Sequence, residues 1–172
     1  MLFFKYTILF LIFIITAMIG NIFSKKYRNR VNELKSFKEV FNILESKIRF
    51  TYEPIGDIFE EISNLFECNK ISSIFLDAKK YMKTLDFKSS WDKSIDNNRK
   101  CFDLTNEDIS TIKKLGNMLG KTDIQGQLNE IKLNMNFLDI QIAYAEEERK
   151  KNEKMYKTLG TIFGLAIIII LI

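Results

Sequence analysis

Apolar side chains follow two arrangements along this chain, unbroken runs at both ends and a three- and four-residue spacing between them. Tyr6–Phe23 and Thr158–Ile172 carry no charged side chain. A helix rises ~1.5 Å per residue, so about 20 apolar residues cross a hydrocarbon core of ~30 Å. The first run reaches that length if Met1–Phe4 joins it and Lys5 snorkels to the outer interface. The second is shorter. It reaches a full span if Met155 and Tyr156 enter and Lys157 snorkels inward, or if the bilayer thins locally; an interfacial anchor is the alternative. A cleaved signal peptide fits the first run poorly, because its charged region would hold Lys5 alone and no A-x-A-like site closes it. The expected layout is a transmembrane helix at 5–23, a helical domain at 24–154 and a second transmembrane helix at 155–172.

Between the runs, Leu34, Phe37, Phe41, Leu44 and Ile48 line one face of a helix, with Glu39, Glu45 and Lys47 on the other. That helix is expected to stop near Thr51–Glu53, since the residue before Pro54 resists helical geometry. Pro54 suits the first turn of a second helix carrying Ile55, Ile58, Phe59 and Ile62. Ile71, Ile74, Phe75, Ala78 and Met82 pattern a third helix, and Trp91 with Ile95 a short fourth. Thr105 and Asp108 resemble a capping box opening a fifth helix through Ile109, Ile112, Leu115 and Leu119, which Gly120 is placed to end. Asp123 or Thr122 can cap a last helix with the stripe Leu128, Ile131, Met135, Leu138, Ile142, Ala145. No breaker separates Leu128 from Leu159, so this helix is free to continue into the second apolar run. No long alternating strand pattern occurs. The expected fold is all-α, a bundle of about six helices flanked by the two transmembrane helices.

Charge orients this layout. Lys25, Lys26, Arg28 and Arg30 follow the first run, and Arg149, Lys150, Lys151, Lys154 and Lys157 precede the second. Both clusters lie on the side that holds the middle of the chain, and positive charge marks the cytoplasmic face. Val31–Glu148 holds 16 of the 26 Lys+Arg and 21 of the 22 Asp+Glu, so the body is near −5 although the whole chain is +4. The basic excess therefore sits where anionic headgroups attract it. A nucleic-acid surface would need it on the body, so no nucleic-acid partner is expected.

The chemistry-bearing residues narrow the function further. With His 0, histidine triads and Cys/His metal sites are excluded, and Cys68 and Cys101 are lone thiols that suit a reducing cytoplasm. GNMLGKT at 116–122 evokes a phosphate loop, but three residues separate Gly116 from Gly120 where that loop needs four, and a helix precedes it where a strand is required. Glu146→Lys150 and Glu147→Lys151 have the favourable i,i+4 order, which suits a solvated helix face. Gly160 and Gly164 form a GxxxG that permits close helix approach, with the first apolar run as the obvious intramolecular partner. Carboxylate pairs such as Glu60/Glu61 or Glu107/Asp108 carry no mark of burial that acid–base work requires. No catalytic residue, cofactor, metal or small-molecule substrate is expected.

LTNEDISTIKKLGNMLGKTDIQGQLNEI at 104–131 and KNEKMYKTLGTIFGLAIIIILI at 151–172 resemble the stage III sporulation protein AB family of endospore-forming bacteria. LESKIRFTYEPIGDIFEEIS at 44–63 resembles that family's first helix pair, so the likeness covers nearly the whole chain. It is most specific at Leu115, Gly116, Leu119, Gly120 and Asp123, and in the K-M-Y-K-x-L-G approach to the second span. The resemblance implies a non-enzymatic platform subunit of the channel complex joining mother cell and forespore. It implies an outer forespore membrane location, with the helical domain in the mother-cell cytoplasm. It also implies a likeness to the platform F protein of type II secretion and type IV pilus machines. The partners implied are the bilayer, other subunits of the complex and its cytoplasmic secretion-type ATPase. A membrane-spanning export or channel component of a type II secretion-like or pilus-like machine outside sporulation is the alternative. For partner contact, Leu115, Gly116, Leu119, Gly120, Asp123 and Gln127 are the candidate surface.

Overall fold

The structure is a computed structural model that describes residues 2–51, 53–66, 70–117, 119 and 123–171. Cys68, the expected helix stop at Gly120 and the alternative cap Thr122 lie outside the described residues. Within them the chain is helical and forms no strand: α1 (Leu2–Phe50), α2 (Ile55–Leu65), α3 (Lys70–Tyr81), α4 (Phe87–Asn98), α5 (Asn106–Lys113) and α6 (Ile124–Leu171). Short 3₁₀ turns follow α4 at Arg99–Cys101 and α5 at Lys114–Asn117.

Two expectations change. The first apolar run and the first bundle helix are one element, α1, because Ser24–Glu33 holds no glycine or proline and its Lys and Arg lose little rotamer freedom in a helix. The fifth helix is α-helical only to Lys113 and then tightens to 3₁₀ through Asn117. As anticipated from the lack of breakers, α6 is unbroken from the bundle stripe into the last apolar run. Six helices thus accommodate both the bundle and the terminal runs. Among the described residues α1 is long and apolar enough to cross a membrane, with a best window of mean hydropathy 2.3.

Contacts divide the chain into two compact units, Met1–Val31 with Tyr144–Ile172, and Asn32–Ala143. In the second unit Leu34, Phe37, Phe41 and Leu44 of α1 are fully buried, as are Ile58, Phe59 and Ile62 of α2, and Ile131 and Leu138 of α6. On α3, Ile71, Ile74, Phe75 and Ala78 are buried, and this helix packs against both α2 and α4. Trp91 of α4 anchors an aromatic cluster, with ring centroids 5.4 Å from Phe75, 5.8 Å from Phe59 and 6.4 Å from Phe41. Such edge and tilted pairs add about 0.5–1.5 kcal/mol each beyond area burial. The indole proton does not go unpaired, since Nε1 donates to the Ile112 carbonyl at 3.0 Å.

Local chemistry sets the helix boundaries. Thr51 closes α1 by donating both its amide and its hydroxyl to the Lys47 carbonyl at 2.9 Å. Pro54 takes the N-cap position of α2, and its carbonyl accepts the Asp57 amide at 2.9 Å. Asp86 caps α4 through Ser89 N–H. The Thr105/Asp108 capping box is complete: the hydroxyl accepts the Asp108 amide at 3.2 Å, and the carboxylate accepts the Thr105 amide at 2.8 Å. Asp123 caps α6 by accepting the Gly126 amide at 2.9 Å.

Candidate functional site

In the first unit α1 and α6 lie side by side and antiparallel. Thr16, Gly20, Tyr27 and Arg30 of α1 meet Gly164, Gly160, Tyr156 and Glu148 of α6 in that order. Glycine allows the approach. A Cβ on Gly160 would lie 2.8 Å from the Thr16 carbonyl oxygen and 3.0 Å from Gly20 Cα, and one on Gly20 would lie 2.6 Å from the Tyr156 carbonyl. At Gly164 the added atom would meet Thr16 Oγ1 at 2.5 Å and Phe13 Cδ2 at 2.8 Å. The Thr16 hydroxyl is itself satisfied within its helix, donating to Ile12 O at 3.1 Å and Phe13 O at 2.9 Å. Gly160 and Gly164 thus face α1, and Gly20 and Thr16 are the complementary residues that periodicity had not singled out. Gly20 is the one glycine of the first apolar run. Around this seam Phe10, Ile22, Phe163 and Ile169 stay more than half exposed.

At the other end of the same helix pair, aromatic rings give way to charge. Tyr156 stacks against Phe23 and Tyr27 with centroids 5.8 Å away in each case. Within a turn of Tyr27 the buried Arg30 donates to Glu148 at 2.5 Å, and Lys157, next to Tyr156, pairs with Glu153 at 2.7 Å. The Lys157 hydrogen bond holds the Glu153 carboxyl below its usual range, helped by the nearby Arg28 and Arg149 charges. Lys25, Lys26, Arg28, Lys150, Lys151 and Lys154 remain exposed. Antiparallel pairing therefore gathers at one end two basic clusters more than a hundred residues apart in sequence.

The second unit holds the corner singled out around residues 115–127. Leu115, Gly116 and Leu119 are buried there, so they serve packing, while Asp123 and Gln127 keep surface; Gly120 lies outside the described residues. Gly116 has a steric reason: an added Cβ would sit 3.0 Å from Trp91 Cδ1 and 3.5 Å from Lys88 Cα. The Trp91 bond to the Ile112 carbonyl lies where the chain tightens into the 3₁₀ turn. Beside this corner a polar groove of about 470 Å³ opens between α4 and α5. The Lys113–Asp96 pair at 2.7 Å joins its two walls, and Lys88–Asp92 at 3.0 Å lies along α4.

Glu33 was not anticipated at all. Its side chain, 11% exposed, accepts Lys70 Nζ at 2.9 Å and the Asp103 amide at 2.8 Å, tying α1 to the start of α3 and to the segment before α5. Burial pushes the Glu33 carboxyl above the usual carboxylate range, and the two hydrogen bonds offset this only in part. The same bond raises the Lys70 ammonium. A lone Glu on the charged side of a helical pattern offers no sequence signal for such a role. Among the described residues no group of three or more His, Cys, Asp or Glu could hold a metal ion.

Among the described residues these features define an all-helical protein with a long apolar N-terminal helix and a glycine-paired helix seam. Residues 5–172 match the family described as Stage III sporulation protein AB, and the chain belongs to that family. It is 27% identical over 165 residues to the Stage III sporulation protein AB of Bacillus subtilis (strain 168), an alignment covering 93% of this chain and 94% of that one. A solved structure of a Stage III sporulation protein AB shares the fold, with a TM-score of 0.66 and 20% identity over 72% of this chain and 98% of that chain.

Proposed function

We propose that this chain is a non-enzymatic scaffold subunit of the channel complex between mother cell and forespore. In this reading 5–23 and 155–172 cross the outer forespore membrane, and 24–154 stands in the mother-cell cytoplasm as a platform for the complex's secretion-type ATPase. The observation that carries the reading is the family match over residues 5–172. The helix pair supports it: exposed apolar side chains surround the seam, and both basic clusters gather at one end, as the cytoplasmic rule for positive charge requires. The surfaces offered to the ATPase are Asp123, Gln127 and the polar groove between α4 and α5.

Anchoring by two helices limits tilting of the domain, which is what a platform needs to hold a moving partner in register. A fluorescent fusion of the full chain is expected to ring the engulfed forespore, and deletion to arrest late forespore development. Uniform localisation in vegetative cells together with normal spores would sink the proposal. Detergent-solubilised full chain is expected to retain the ATPase in a pull-down, with retention weakened by charge reversal at Asp123 combined with Gln127→Lys. Retention unchanged by those substitutions would move the contact elsewhere on the domain.

A further inference from the structure

We propose that the basic end of the α1–α6 pair is a binding surface for the phosphodiester headgroups of anionic membrane lipids, so that the protein selects its surrounding lipid shell. This inference rests on the membrane reading above and deepens it by naming the ligand chemistry. Four observations converge on it. On α6, Arg149, Lys150, Lys154 and Lys157 line a shallow depression of about 360 Å³ with Glu153 and Thr158, a cluster of cations around one acid. That acid is already engaged, because Glu153 accepts Lys157 at 2.7 Å. From α1, Lys25, Lys26 and Arg28 stand exposed at the same end of the pair, brought there by the Tyr27–Tyr156 stack and the Arg30–Glu148 bond.

The fourth observation concerns position along the pair. The basic residues border the aromatic group Phe23, Tyr27 and Tyr156, beyond which the exposed surface turns apolar through Ile22, Ile162 and Phe163. Aromatic rings of this kind sit at the headgroup level of a bilayer, which puts the ammonium and guanidinium groups level with lipid phosphates. An apolar furrow of about 420 Å³ between the two helices, lined by Ile19, Gly20, Phe23, Leu159 and Phe163, runs away from the basic end and can take the acyl chain of a lipid held there. Headgroup and chain thus meet matching chemistry in the order in which a phospholipid presents them.

The full chain, reconstituted in phosphatidylcholine bilayers doped with spin-labelled phosphatidylglycerol or spin-labelled phosphatidylcholine, tests this. Each Lys or Arg near the surface favours an anionic lipid by about fivefold at most, and several share one lipid shell. The motionally restricted fraction is therefore expected to prefer the phosphatidylglycerol label severalfold. The preference should shrink toward unity in 1 M salt, where the screening length falls to about 3 Å. It should also shrink in the triple variant Lys150→Gln, Lys154→Gln, Lys157→Gln, but not in the charge-matched control Lys80→Gln, Lys83→Gln, Lys100→Gln on the body. Equal restricted fractions for the two labels in the unmodified chain would overturn the inference while leaving the membrane reading intact. Absence of a restricted component for either label would overturn both. A preference lost equally in the body control would also refute the basic end as its source.

Discussion

Replacing Gly116 by alanine adds one methyl group at the point where the 3₁₀ turn after α5 rests on Trp91. The new Cβ would stand 3.0 Å from Trp91 Cδ1 and 3.5 Å from Trp91 Cβ. Carbon atoms pack best at about 3.5–4.0 Å, so one part must retreat by several tenths of an ångström. The indole is poorly placed to do so. Its Nε1 donates to Ile112 O at 3.0 Å, and Phe41, Phe59 and Phe75 surround the ring. Overpacking of this kind costs about 1–3 kcal/mol. Alanine regains at most ~1 kcal/mol over glycine in helical backbone. The net expectation is destabilisation by about 1–2 kcal/mol, a fall of roughly 0.5–1 M in the urea midpoint for an ordinary small domain. Trp91 is the chain's single tryptophan and is fully buried, so its emission reports this transition directly in detergent-solubilised full chain. A double-mutant cycle with Trp91→Phe, followed by circular dichroism, isolates the contact. The reasoning is refuted if Gly116→Ala leaves the midpoint unchanged or raises it, or if its penalty is undiminished in the Trp91→Phe background.

Three further outcomes follow from named contacts. Gly160→Val places atoms within 2.8–3.0 Å of the Thr16 carbonyl and Gly20 Cα, so a short bis-thiol cross-link between Tyr27→Cys and Tyr156→Cys, in a background with Cys68 and Cys101 replaced by serine, should lose most of its yield; full yield would mean that glycine is not what seats the helices. Thr105→Ala removes the hydroxyl that accepts the Asp108 amide and should lower stability by about 1 kcal/mol, with no change in urea midpoint counting against the capping box. Glu33 supplies the pH dependence: its folded carboxyl is raised by burial, so its contribution is most favourable below the unfolded value near 4.3 and is lost as pH rises through the folded value. The stability of Glu33→Gln relative to the unmodified chain should therefore improve on going from pH 4 to pH 7, as read from paired urea titrations, whereas a fall over that window would show that the Lys70 pair outweighs desolvation.

Much of the fold was legible because one periodicity dominates the chain. Most of the stripes Leu34–Ile48, Ile55–Ile62, Ile71–Met82 and Leu128–Ala145 became buried helix faces, with Ile55, Met82 and Ile142 left part-exposed at their margins, and Pro54, Thr105 and Asp123 marked boundaries through chemistry confined to neighbouring residues. The candidate interaction corner was legible only in part. Its glycine and leucines stood out as a pattern, but a pattern does not say whether a residue faces a partner or its own core. Burial of Leu115, Gly116 and Leu119, with Gly116 resting on Trp91, decided that, and surface remained at Asp123 and Gln127.

Taken alone, the sequence determined the helical class, the positions of the apolar runs, the charge beside them and the family to which the chain belongs, because each of these is written in local spacing or in residue identity. Tertiary structure decided which distant residues meet. Arg30 with Glu148, Glu33 with Lys70 and Asp103, and Trp91 with Gly116 join positions whose sequence neighbourhoods carry no trace of one another, and for Gly160 the pattern pointed to the first apolar run but not to Gly20 within it. A helical period fixes the direction in which a side chain points around its own axis. Which helix lies in that direction depends on how all the faces can be covered together, and that choice is made only when the chain packs.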